Sequence, residues 1–185
     1  MQQPRANANG EPSRAPCFDE IVDRYAERLY RIAFRLTGRA DVAEDLVQES
    51  FLDAFRGLSQ LRSADSAFAW LVSILRRRRV KWLKGMLREP VSMPSIDVSA
   101  PIPDVQLEID EESLASALER LPDDFREPLV LFYFEDMKYR EIADALETPI
   151  GTVMSRLARG KAALRAMLEN PSSVAVGREV RDGSP

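Results

Sequence analysis

The sequence predicts an all-α protein of two small helical domains joined by a Pro-rich linker, the second a helix-turn-helix. Three observations carry this. Apolar residues recur at three- and four-residue spacing from Phe18 to Leu75 and again from Leu114 to Leu168, the period of helices with one buried face. No stretch shows the two-residue alternation of a half-buried strand. Between the periodic blocks, residues 89–110 hold Pro90, Pro94, Pro101 and Pro103, and prolines at such spacings oppose both helix and central strand. The expected division is a disordered tail over 1–17, a domain over 18–88, a linker over 89–110, a domain over 111–169 and a second disordered tail over 170–185.

The elements follow in order. Ile21, Val22, Tyr25, Leu29, Ile32, Ala33 and Leu36 mark a first helix that Gly38 ends. Asp41 with Glu44 three residues on reads as a capping box opening a second helix. Its apolar stripe is Leu46, Val47, Phe51, Ala54 and Phe55, and Gly57 closes it. Residues 58–66 read as a loop, and a third helix starts near Ser66. Past the linker, Leu114, Ala117, Leu118 and Leu121 mark a helix that Pro122 stops, and Phe125 to Tyr133 form the next. Tyr139–Leu146 is a short amphipathic helix. Pro149 disfavours helix at Thr148, and a new helix is expected from Thr152.

Composition excludes several classes. There is one cysteine, Cys17, and no histidine in 185 residues, which rules out disulfide frameworks, Cys/His zinc sites and triads that need a histidine base. No cofactor or metal is expected. The N-terminal residues lack the apolar core of a signal peptide, and no run of eighteen apolar residues occurs. A cytoplasmic protein without membrane insertion is the expectation.

The net charge of -4 hides an asymmetry. Residues 72–88 contain seven bases (Arg76, Arg77, Arg78, Arg79, Lys81, Lys84 and Arg88) and no acid, whereas residues 97–127 contain ten acids against Arg120 and Arg126. Salt screens charges beyond about 8–10 Å, so a local basic stripe can hold nucleic acid on an acidic chain. The two helices around "ETPIG" fit a DNA-binding helix-turn-helix, with Val153, Leu157 and Leu164 inward and Thr152, Ser155, Arg156, Arg159 and Lys161 outward. Arginine there can pair with guanine in the major groove while Thr, Ser and Lys hold phosphates. An antiparallel helix pair with a solvated basic face is the alternative.

Residues 121–168, "LPDDFREPLVLFYFEDMKYREIADALETPIGTVMSRLARGKAALRAML", resemble the promoter-binding C-terminal domain of bacterial sigma factors of the extracytoplasmic-function group. Glu141, Ile142, Ala143, Gly151, Thr152, Val153, Ser155, Arg156, Leu157 and Arg159 fit the family's "reEIA" and "GTVxSRLxRA" patterns. Met154 stands where a lysine is common, implying one fewer bond to phosphate or a different base preference. The first block resembles the other sigma domain. "ADVAEDLVQESFLDAF" matches the helix that holds the clamp helices of the RNA polymerase largest subunit, making Asp45, Gln48 and Glu49 the implied contacts; an ordinary solvated face is the alternative. "FAWLVSIL" matches the helix that opens the promoter and reads the −10 element. There Arg77 and Lys81 replace an asparagine and an aspartate common in the family.

The resemblance implies an alternative sigma factor that binds core RNA polymerase, recognises the −35 and −10 elements of promoter DNA and helps to melt it. It also implies control by an anti-sigma factor, and linker acids (Asp97, Asp104, Glu108) that mimic nucleic acid. Arg76, Arg77, Arg79 and Lys81 are then expected on promoter phosphates, although arginines at consecutive positions point all round a helix, so that the four of the run cannot all touch one strand and at most two or three do. Packing against the first helices is the alternative. Arg62, Ser66 and Phe68 are the candidates for a captured-base pocket, with Trp70 read as core. Extended, the linker spans at most about 70 Å, close to the separation of sites two helical turns apart. The rival readings are a helix-turn-helix regulator, a sigma-like protein that does not itself initiate transcription, and an Asp/Glu-metal nuclease, against which the acids of residues 41–53 have no accompanying lysine motif or strand scaffold.

Overall fold

The computed structural model describes residues 17–61, 63–86 and 111–169. The expected linker, both expected tails beyond Cys17, Arg62 and Arg88 lie outside the described residues. Those described form α1 (Phe18–Thr37), α2 (Ala40–Arg56), two short 3-10 turns (Leu58–Gln60 and Ala64–Ser66), α3 (Ala67–Met86), α4 (Glu111–Arg120), α5 (Asp123–Tyr133), α6 (Tyr139–Leu146) and α7 (Ile150–Glu169).

In α1 the buried residues are Ile21, Tyr25, Leu29, Ile32, Ala33 and Leu36, one stripe at helical spacing. Gly38 ends it at φ 67, its N–H donating to the Phe34 carbonyl at 2.8 Å, the left-handed cap that glycine adopts freely. The capping box expected at Asp41 is not formed. Arg39 holds the cap position of α2 in extended geometry, and its guanidinium donates to the Asp41 carboxylate at 3.2 and 2.5 Å. That charged pair occupies the carboxylate that would have capped the helix. Phe55 also departs from expectation: it is 62% exposed. At 100° per residue it points about 180° away from Leu46, and the inward arc of α2 is filled by Leu46, Val47, Ser50 and Ala54.

In the second half, Pro122 stands between α4 and α5. Glu147 terminates α6 in the left-handed region at φ 52. α7 begins two residues before the expected Thr152, because the Pro149 carbonyl accepts from Thr152 and Val153 N–H at 2.9 and 3.2 Å. Gly160 lets α7 approach α5 closely; a Cβ there would sit 3.0 Å from Leu129 Cδ1 and 3.1 Å from Phe125 Cβ.

α1, α2 and α3 bury Leu29, Leu46, Leu71 and Leu75 against one another, and α5, α6 and α7 bury Leu129, Val130, Ile142 and Val153. The halves are not apart. α3 packs on α6, and α1 packs on α4 and α5, so that one apolar cluster runs through both.

Candidate nucleic-acid interface

The arginine run lies in the middle of α3, where successive side chains are 100° apart and reach different neighbours. Arg76 Nε donates to Glu127 at 3.0 Å and Arg77 Nη1 to Glu147 at 2.8 Å. Arg78 turns the other way, to Asp53 through Nε at 2.5 Å and to Glu49 through Nη1 at 3.0 Å. Arg79 is 1% exposed and bridges Glu127 at 3.0 Å and Asp123 at 2.6 Å. Three of the four arginines therefore bind acids of α5 and the α6–α7 turn, and one binds α2. The expected DNA-facing role of Arg76, Arg77 and Arg79 does not describe this arrangement: their guanidiniums are already matched to carboxylates of the second half. Lys81 is exposed.

These pairs set the local electrostatics. Burial pushes the Asp123 carboxyl up, but hydrogen bonds and charge from Arg79 and Arg126 outweigh it and hold the group below the usual aspartate range. Arg78, hydrogen-bonded to Asp53, lowers that carboxyl too, and is itself held more firmly protonated by it.

Phe68 is a further correction. It is 8% exposed, stacked on Tyr25 with ring centroids 5.3 Å apart and covered by the Arg28 guanidinium at 3.8 Å. An aromatic ring so covered offers no open face to a base. Ser66 is exposed and donates to the Ser63 carbonyl at 2.9 Å. Trp70 packs partly buried against the core.

On α2, Asp45, Gln48 and Glu49 are exposed together, and Glu49 also pairs with Arg78. Leu52, 56% exposed, and Phe55 extend the same face. Sequence reasoning missed Leu52, although its place four residues after Gln48 and three after Glu49 is the signal that could have found it. On α7, Ser155, Arg159 and Lys161 are exposed, while Thr152 and Arg156 are half-buried. Arg156 Nη2 reaches Asp124 at 2.7 Å, and Ser155 Oγ donates to the Thr152 carbonyl at 3.0 Å. Val153 and Leu157 are buried beneath them, so the basic face is presented from a rigid helix. Among the described residues no cluster of His, Cys, Asp or Glu is arranged to hold a metal, and no helix is long and apolar enough to cross a membrane.

Two family models match the chain, each on one helical half: "Sigma-70 region 2" over residues 21–86 and "Sigma-70, region 4" over residues 111–164. A two-part helical chain with both regions in this order is a sigma factor of the sigma-70 class. ECF RNA polymerase sigma factor SigE of Mycolicibacterium smegmatis is 34% identical over 178 residues, spanning 90% of this chain and 67% of the relative. SigW of Bacillus subtilis is 30% identical over 168 residues, spanning 83% and 89%. Among solved structures, the sigma factor RpoE of Bartonella quintana, in complex with the anti-sigma factor NepR, matches at TM-score 0.67 and 26% identity over 82% of this chain and 96% of that one. The chain belongs to the extracytoplasmic-function sigma factors.

Proposed function

We propose that the chain is an alternative sigma factor that binds core RNA polymerase through α2, recognises the −35 element through α7 and the −10 element through α3 and the neighbouring loop, and helps to open the promoter. The observation that carries this is the pair of family matches on the two helical halves, in promoter-reading order. It makes or breaks no covalent bond; its work is recognition and strand capture, in the cytoplasm where polymerase and promoter meet. The working division is residues 18–88 for polymerase and −10 binding and residues 111–169 for −35 binding.

Asp45, Gln48 and Glu49 face the polymerase. Thr152, Ser155, Arg156, Arg159 and Lys161 face the upstream duplex, and Arg62 and Ser66 the melted strand. Arg76, Arg77 and Arg79 reach promoter phosphates only after the halves part, whereas Lys81 is exposed already. Control by an anti-sigma factor is supported by the likeness to a sigma factor solved with one. Transcription in vitro with core polymerase and a library of promoters tests the reading. Specific initiation from a subset of promoters is the expected outcome; duplex binding through α7 with no initiation would make the chain a helix-turn-helix regulator instead.

A further inference from the structure

Met154 stands on α7 among the residues that face the upstream duplex, yet its side chain has no donor to offer a phosphate. It is 52% exposed. Val153, one residue earlier, is fully buried, and the turn of about 100° between them carries Met154 off the packed side of the helix. Ile150, 49% exposed, lies four residues before it, and residues at that spacing are neighbours on a helix surface. The start of α7 therefore holds an apolar pair in open solvent.

The surroundings of the pair point to what covers it. From Ile150 to Leu168, α7 contains no acid and four bases, Arg156, Arg159, Lys161 and Arg165, so the face is complementary to a polyanion. Gly151 is exposed, and a Cβ there would have nothing within 4 Å, so no side chain at 151 shields the first turn. Long side chains on a helix lean toward its N-terminus, which carries the Met154 thioether over the Ile150–Gly151 turn. That end of a recognition helix is the part that meets base edges in the major groove. Thymine is the base that presents a methyl group there, and a flexible, polarisable thioether packs well on a methyl. The other bases present donors and acceptors, which would lose water against methionine and gain no hydrogen bond. A lysine at 154 would instead hold a phosphate and read no base.

We propose that Met154, with Ile150 beside it, is a base-specificity determinant: its thioether packs on the 5-methyl group of a thymine in the upstream element. The chain then selects a T·A pair at one position by an apolar contact. The inference rests on the reading of α7 as the helix that enters the upstream duplex.

The test selects a preferred duplex from a randomised pool with the full chain, alone and together with core polymerase. Each thymine of that duplex is then replaced in turn by deoxyuridine, which pairs identically and lacks only the methyl. At one position the replacement should weaken binding by the wild-type chain about fourfold, the factor for burying one methyl-sized group. In Met154→Ala that factor should fall to about one, while replacement at every other thymine acts as in the wild type. Met154→Leu, still apolar and of similar size, should keep a factor of about two to four. Met154→Lys should lose it and steepen the fall of log affinity with log salt by about 0.9, the mark of one added phosphate. Position 154 is exposed, so helical content should be the same in every variant. A pool that yields no preferred duplex, a preferred duplex without thymine, no loss at any thymine, or a loss undiminished in Met154→Ala would overturn the assignment. Failure of Met154→Ala to co-elute with core polymerase would overturn it too, giving the residue to a protein contact. Initiation in vitro keeps the two ideas apart. A chain that initiates but shows no methyl effect loses Met154 as a specificity determinant and remains a sigma factor. A chain that shows the methyl effect but initiates nowhere keeps Met154 and becomes a helix-turn-helix regulator.

Discussion

Arg79→Ala is expected to part the two halves before it unfolds either of them. The guanidinium is 1% exposed and spans α3 to α5 through Glu127 at 3.0 Å and Asp123 at 2.6 Å. Removing one partner of a buried ion pair costs about 3–5 kcal/mol, because the other charge is left uncompensated. Here both acids keep a second cation: Glu127 retains Arg76 at 3.0 Å and Asp123 retains Arg126. The cost should therefore fall to about 2–3 kcal/mol, a shift of roughly 30- to 150-fold in the docking equilibrium. Its partners lie in the opposite half, so the loss acts on docking rather than on either core. Cys17, the single cysteine and exposed, takes one dye, and Ala166→Cys on the exposed side of α7 takes the other. Energy transfer between them should drop in Arg79→Ala while helical content stays unchanged. Wild-type transfer in the variant, or a fall of transfer and helicity together in one transition, would refute the assignment of Arg79 to docking.

Reversing charge on the outer face of α2, with Asp45→Lys and Glu49→Lys, should abolish co-elution with core polymerase at unchanged helicity, since Asp53 still holds Arg78. Arg156→Ala should weaken binding to the cognate upstream duplex by about 1–3 kcal/mol in a direct titration, whereas equal weakening on every sequence would mark Arg156 as a phosphate ligand. Asp123 has its carboxyl held below the ordinary value, so its contribution to docking is complete above about pH 4 and is lost as the pH falls through the lowered value. Energy transfer should thus be flat from neutrality to about pH 4.5 and decline only below it; a decline between pH 6 and 5 would assign the docking to other groups.

The helices were legible because their period is local. Ile21 to Leu36 and Tyr139 to Leu146 announce one buried stripe each, and Gly38 and Pro122 stop helices through their own backbone chemistry. What escaped depends on distant partners. The charge asymmetry between residues 72–88 and 97–127 was visible, but it reads equally as two surfaces for two ligands or as one surface folded onto the other. Glu127 stands 48 residues after Arg79, and no spacing rule connects them. Phe68 and Phe55 illustrate the same limit: apolar identity does not say which of two aromatic residues the tertiary contacts will cover. The polymerase-facing residues of α2, by contrast, were readable as a polar arc.

Because acids from α5 and the α6–α7 turn neutralise Arg76, Arg77 and Arg79, the order of synthesis matters. Arg76, Arg77 and Arg79 leave the ribosome before the acids that will cover them, and Glu127 follows the end of the basic segment at Arg88 by 39 residues. At about 5–20 residues per second the growing chain presents a bare cationic patch for roughly 2–8 s, at a surface crowded with ribosomal RNA. A chain cut short near residue 88 would never leave that condition. It would behave as a polycation that clings to RNA, not as a smaller version of the protein.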